Sequence, residues 1–185
     1  MKILALDTSS KTASAAAWDG ELRAEFTVQN GLTHSETILP MVQRVIETAG
    51  WKPADLTGIA VAVGPGSFTG VRIGVALAKS MAQALEIPVC PVNTLDMLAM
   101  NASACDGRVC SVMDARRRQV YAGVYKTGNS LERIKEPRAV ALSDLVQELL
   151  QQPGRVWFTG DASLVYRREI EEMMGERAAF LPAAH

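Results

Sequence analysis

Gly64-Pro65-Gly66-Ser67-Phe68-Thr69-Gly70-Val71-Arg72-Ile73-Gly74 decides how this chain is read. It stands between a strand-like run at residues 58–63 and a long apolar run at residues 71–85. Glycines and a proline in that place make a tight strand-to-helix turn, with Ser67 or Thr69 as the helix cap. Backbone N–H groups at such a helix start can face an anion. The same turn can equally be a plain connection that needs Gly64 and Gly66 for their backbone angles. No Gly-Lys-Ser/Thr follows, so this is not a Walker loop, and it does not open a first βαβ unit as a dinucleotide fingerprint does.

The helix behind the turn has almost no polar face, which predicts burial on more than one side. Gly74, Ala78 and Ala82 recur every four residues as a small-residue ridge, suited to close approach by another helix. In so small a domain the outer layer is missing, so the ridge is expected to meet a partner, bordered by Arg72 and Lys79.

Working outward, residues 3–6 form a buried-strand pattern ending in Asp7-Thr8-Ser9-Ser10. Residues 12–18 and 22–28 read as two more strands around the hairpin signal Asp19-Gly20. Thr33 and Glu36 fit a capping box before Ile38, Met41, Val42, Val45 and Ile46 at helical spacing. Pro40 inside that pattern should kink the helix or leave the Glu36 carbonyl unpaired. Residues 88–92 read as a strand and 94–100 as a short helix. Alternating strands and helices predict an α/β fold with parallel pairing.

Residues 109–113 and 120–125 read as strands around Asp114-Ala115-Arg116-Arg117-Arg118. Residues 126–136 read as polar loop. Residues 142–150 read as a helix capped by Ser143 or Asp144, 156–159 as a strand and 161–174 as one helix. The tail from 178 shows no clear element. The expected organisation is an N-terminal α/β domain over 1–103 and a smaller C-terminal one over 104–185, with the boundary in the stretch 102–107.

The 185 residues carry 19 basic against 20 acidic side chains. That balance gives no general pull toward nucleic acid or membrane. Cys90, Cys105 and Cys110 have no metal or redox spacing and suit a reducing compartment. An acid at position 7 comes too early for a signal peptide, and no apolar run nears the roughly 20 residues of a membrane span. A soluble cytoplasmic protein is expected. Two histidines, His34 and His185, cannot build a histidine-rich metal site. No Gly-x-Ser-x-Gly elbow or Cys–His pair appears. Asp7 could hold Mg²⁺ near a nucleotide, or simply order its own turn. Arg116–Arg118 could contact phosphates or an acidic partner, or be a solvated turn.

The runs Ile3-Leu4-Ala5-Leu6-Asp7-Thr8-Ser9, His34-Ser35-Glu36 with Leu39-Pro40, the glycine turn, and Asp114-Ala115-Arg116 with Val120-Tyr121 occur in this order. Together they resemble the TsaB (YeaZ) family of tRNA threonylcarbamoyladenosine biosynthesis, paralogous to TsaD, over nearly the whole chain. The resemblance implies an ASKHA-type fold, actin-like and RNase H-like. It implies a mixed sheet with flanking helices and a second half that is small or incomplete. TsaD carries metal-binding histidines after the strand that follows its glycine turn; here that run reads Pro91-Val92-Asn93-Thr94-Leu95-Asp96. The resemblance therefore implies a non-catalytic subunit without metal or cofactor. Such a subunit binds and organises TsaD with the ATPase TsaE, forms homodimers when alone, and meets tRNA at most indirectly. That partner role falls on Met41, Val45, Val71, Gly74, Val75, Ala78 and Ala82. The alternative is an ASKHA-type ATPase or small-molecule kinase using Asp7 and the turn through Gly64, Gly66, Ser67 and Gly70, with Thr159-Gly160-Asp161 as the late phosphate loop.

Overall fold

The computed structural model describes residues 1–127 and 131–181. The chain divides into two units, Met1–Thr94 and the remainder from Leu95.

In the first unit β1 (Ile3–Asp7), β2 (Ala13–Trp18) and β3 (Leu22–Val28) form an antiparallel meander. β4 (Gly58–Ala62) and β5 (Val89–Val92) then add in parallel beside β1, giving the order β3-β2-β1-β4-β5. Helix α1 (His34–Thr48) packs on β2 and β3, and α2 (Phe68–Leu85) on β4 and β1. Period-two alternation sends Leu4, Leu6, Ala13, Ala15 and Ala17 into the core. The alanine row on β2 leaves room for Ile38, Val42 and Val45 of α1. The Thr33 N–H donates to the Glu36 carboxylate at 3.1 Å, so the capping box forms as read. Pro40 does not divide α1; it and Glu36 are both exposed, so the carbonyl it cannot bond lies on the water side.

The second unit repeats this plan without a visible sequence repeat. β6 (Arg108–Asp114), β7 (Gln119–Lys126) and β8 (Glu132–Ala141) make the meander. β9 (Val156–Thr159) runs parallel to β6, and β10 (Ala178–Phe180) parallel to β9. The order β10-β9-β6-β7-β8 is that of the first sheet, strand for strand. On one face lie α4 (Leu142–Leu150), α5 (Asp161–Val165) and α6 (Arg167–Met174), with Leu145, Val146, Leu149 and Ile170 packed on Cys110, Val112 and Phe158. On the other, Leu95 and Ala99 of α3 (Thr94–Met100) and the following Ala102 pack with Val109, Met113 and Tyr125. That packing explains why the division falls at Thr94/Leu95, ahead of the stretch 102–107. Two mixed sheets of one strand order, each flanked by helices, form the ASKHA-type α/β fold. The half expected to be smaller carries as many described strands as the first.

Four local expectations are corrected. Residues 132–136 are not loop but the start of β8; an edge strand needs only one apolar side and tolerates Pro137, so it reads as polar. Of the rest of that expected loop, Lys126 ends β7, and 128–130 lies outside the described residues. Helix α4 starts at Leu142 with Ala141 at its cap, so neither Ser143 nor Asp144 caps it. The single helix expected over 161–174 breaks at Tyr166 (φ −106°, ψ 15°). Part of the featureless tail is β10. No helix among the described residues is long and apolar enough to cross a membrane.

Candidate functional site

The glycine turn is stitched to the turn that ends β1. The Ser67 N–H donates to the Ser9 carbonyl at 2.7 Å, and the Thr8 hydroxyl to the Gly70 carbonyl at 2.7 Å. Ser67 caps α2, its Oγ accepting the Gly70 N–H at 3.2 Å. His34 Nε2 donates to the Ser10 carbonyl at 2.7 Å, bringing the start of α1 to the same place. A Cβ on Gly66 would lie 2.3 Å from the Ser9 carbonyl oxygen, and one on Gly70 2.0 Å from that of Thr8. Glycine is required here because two backbones touch.

Asp7, Gly64, Gly66 and Ser67 therefore do come together, as a turn that satisfies itself. Asp7 Oδ1 accepts the Ser9 N–H at 2.8 Å, and the Gly64 carbonyl accepts the Thr94 N–H at 2.9 Å. Of the donors at this helix start, the Ser67 N–H already has the Ser9 carbonyl and the Gly70 N–H the Ser67 hydroxyl. Ser9 Oγ is buried without a partner among the described residues. Among those residues no group of three His, Cys, Asp or Glu is placed to hold a metal ion.

Helix α2 turns its small residues inward. Gly74, Ala78 and Ala82 are buried against the unit's own sheet, and a Cβ on Gly74 would meet Thr8 Oγ1 at 2.4 Å. Met41 and Val45 of α1 are likewise core. The expectation that these five meet a partner is corrected: a period of four fixes that small residues share a side, and close helix-on-strand contact uses that side here. Val71 and Val75 are half-buried at the edge of the helix.

The outward side carries Phe68, Arg72, Ala76 and Lys79, all exposed. Phe68 is 76% exposed, and the Arg72 guanidinium lies 5.0 Å from its ring centroid. Leu39 of α1 is also exposed. Beside α2 an open groove of about 470 Å³, lined by Val61, Val63, Val75, Lys79, Val89 and Pro91 among others, runs along the edge strand β5. Phe68 was missed by sequence reading. Its signal was an aromatic placed between two hydroxyl residues at a helix start, four residues before Arg72.

In the second unit Arg116, Arg117 and Arg118 are exposed at the β6–β7 hairpin tip. All three have positive φ, at 64°, 53° and 60°. Asp114 Oδ1 accepts the Arg116 N–H at 2.9 Å and the Tyr166 hydroxyl at 3.1 Å. The Asp114 N–H donates to Asp161 Oδ1 at 3.2 Å. On the α3 side the buried Tyr125 hydroxyl donates to Asp96 at 2.7 Å; burial first, then that carboxylate, pushes its pKa up. Burial also pushes the Cys110 thiol up to about 12.

The family model described as TsaD, tRNA N6-adenosine threonylcarbamoyltransferase, matches residues 29–180. The tRNA threonylcarbamoyladenosine biosynthesis protein TsaB of Bacillus subtilis is 38% identical over 186 residues, covering 100% of this chain and 81% of that protein. Its Escherichia coli namesake is 39% identical over 163 residues, covering 86% of this chain and 70% of that protein. The solved structure of YeaZ from Pseudomonas aeruginosa superposes with a TM-score of 0.81 at 28% identity, over 100% of this chain and 84% of that one.

Proposed function

The chain belongs to the TsaB family of tRNA threonylcarbamoyladenosine biosynthesis proteins, and from that premise we propose that it is the non-catalytic partner subunit of a TsaD-like catalytic subunit. In this reading it binds and organises that subunit in the cytoplasm, with a TsaE-like ATPase, for threonylcarbamoylation of adenosine 37 in tRNA. The observation that carries the reading is the outward side of α1 and α2, where Phe68 stands 76% exposed under the Arg72 guanidinium. Aromatic and arginine side chains dominate the centres of protein interfaces. The half-buried Val71 and Val75, on the same side of α2 as Phe68 and Arg72, widen the same patch. The match of a TsaD family model to 29–180 supports pairing of like with like, since related subunits present related faces. In the absence of TsaD the same patch pairs two copies of this chain.

Asp7 and the glycine turn support the non-catalytic part of the reading, because Asp7 Oδ1 already accepts the Ser9 N–H and the Ser67 N–H already donates to the Ser9 carbonyl. The test is co-purification with a TsaD-like subunit. Phe68→Asp should weaken the complex roughly thirtyfold, the effect of losing a hot-spot side chain, while leaving the circular dichroism spectrum of the isolated chain unchanged. Full-strength binding by a folded Phe68→Asp protein would overturn the assigned face.

A further inference from the structure

We infer that the Arg116–Arg118 hairpin tip is a contact for the phosphate backbone of RNA. The Gln119 N–H returns to the Arg116 carbonyl at 2.9 Å, closing a turn whose two central residues, Arg117 and Arg118, both have positive φ. That sign pattern belongs to the type I′ hairpin turn, whose preferred residues are Asn-Gly. An L-residue with a full side chain is disfavoured there by about 1 kcal/mol or more. Arg116, also at positive φ, is a third residue of the kind.

The tip persists because the structure around it is over-determined. Asp114 holds the Arg116 N–H and the Tyr166 hydroxyl, and the Ala115 N–H bonds the Gln119 carbonyl at 3.0 Å. Strain kept in this way at an exposed position marks a place where the side chains matter. What they share is charge. Arg118 faces Glu169 at 3.5 Å with its side chain 80% exposed; no ion pair joins Arg116 or Arg117 among the described residues. Among the described residues the Arg117 and Arg118 N–H groups make no hydrogen bond either.

Guanidinium groups bind phosphate and carboxylate alike through two parallel hydrogen bonds; RNA is favoured over an acidic protein because the family's pathway acts on tRNA. This inference rests on the proposed place of the chain in tRNA modification, and it would make the contact with tRNA direct.

The test uses the full chain and a synthetic anticodon stem-loop RNA, with affinity measured across a salt series. Contacts to two or three phosphates should make affinity fall roughly tenfold between about 50 and about 200 mM salt. Arg117→Asn with Arg118→Gly places the preferred residues in the turn. It should raise the melting temperature and remove most of that salt dependence. A folded double variant with unchanged RNA affinity and slope overturns the inference. So does one that keeps its RNA affinity but no longer binds a TsaD-like subunit, which would assign the tip to an acidic protein surface. Phe68→Asp separates the two proposals: it should weaken the complex roughly thirtyfold yet leave RNA binding by the isolated chain intact.

Discussion

The turn after β1 and the turn after β6 occupy the same position in two sheets of identical strand order. Each begins with an aspartate whose Oδ1 accepts the N–H two residues on, at 2.8 Å for Asp7 and 2.9 Å for Asp114. From there they diverge. The first is covered: Gly66 and Gly70 press on the carbonyls of Ser9 and Thr8, and Ser67 and His34 bond the same loop. The second is open and carries three arginines. In the first, glycine makes room for contact between backbones. In the second, residues ill suited to the backbone are kept, so something other than local stability selects them. One topological position serves as an internal joint in one unit and as an outward display in the other.

The strongest way to break the comparison is Gly70→Ala. The new Cβ would sit 2.0 Å from a backbone oxygen that the Thr8–Gly70 bond holds in place. Nothing flexible can yield, so the loss of stability should exceed about 3 kcal/mol, at the large end for point changes. Urea unfolding reads it directly. A loss under about 1 kcal/mol would mean the two loops are not joined as described.

Gly160→Ala asks whether the second unit shares the joint. Gly160 follows β9 as the glycine turn follows β4, has φ +97°, and a Cβ there would lie 2.1 Å from the Val112 carbonyl oxygen. A cost of about 2–3 kcal/mol is expected. Cys110 reports on it, because a buried thiol with its pKa pushed up to about 12 resists alkylation while folded. The Gly160→Ala protein should label at Cys110 faster than the parent at the same pH and mild urea. Equal labelling would separate the two units in this respect.

How far the sequence alone shows this contrast depends on which physical signal is local. The Ser67 cap, the capping box at Thr33 and the Asp19-Gly20 hairpin are set by neighbours a few residues apart, and all three appear where the sequence puts them. The side on which Gly74, Ala78 and Ala82 fall is set by Thr8 and Val61, far away in the chain, so their spacing misleads toward a partner. β8 hides because an edge strand alternates weakly. The positive φ values at Arg116–Arg118 oppose residue preference, and a sequence reading that follows preference passes over them.

The smallest test compares the two aspartates themselves. Asp114 anchors two groups, the Arg116 N–H and the Tyr166 hydroxyl, whereas Asp7 anchors the Ser9 N–H. Hydrogen bonds to a charged acceptor are worth about 1.5 kcal/mol or somewhat more each, and less where water competes. Asp114→Ala should therefore cost about 2 kcal/mol and Asp7→Ala about 1 kcal/mol. In the first variant Arg116 also loses what holds its backbone at positive φ, so the hairpin tip should loosen and hydrogen exchange there should quicken. In the second, the Ser67 and His34 bonds to the loop remain, so exchange around residues 8–10 should change little. The reverse ranking would mean that the covered turn depends on its aspartate and the open one does not. The strain at the arginines would then have to be held by the β6–β7 ladder alone.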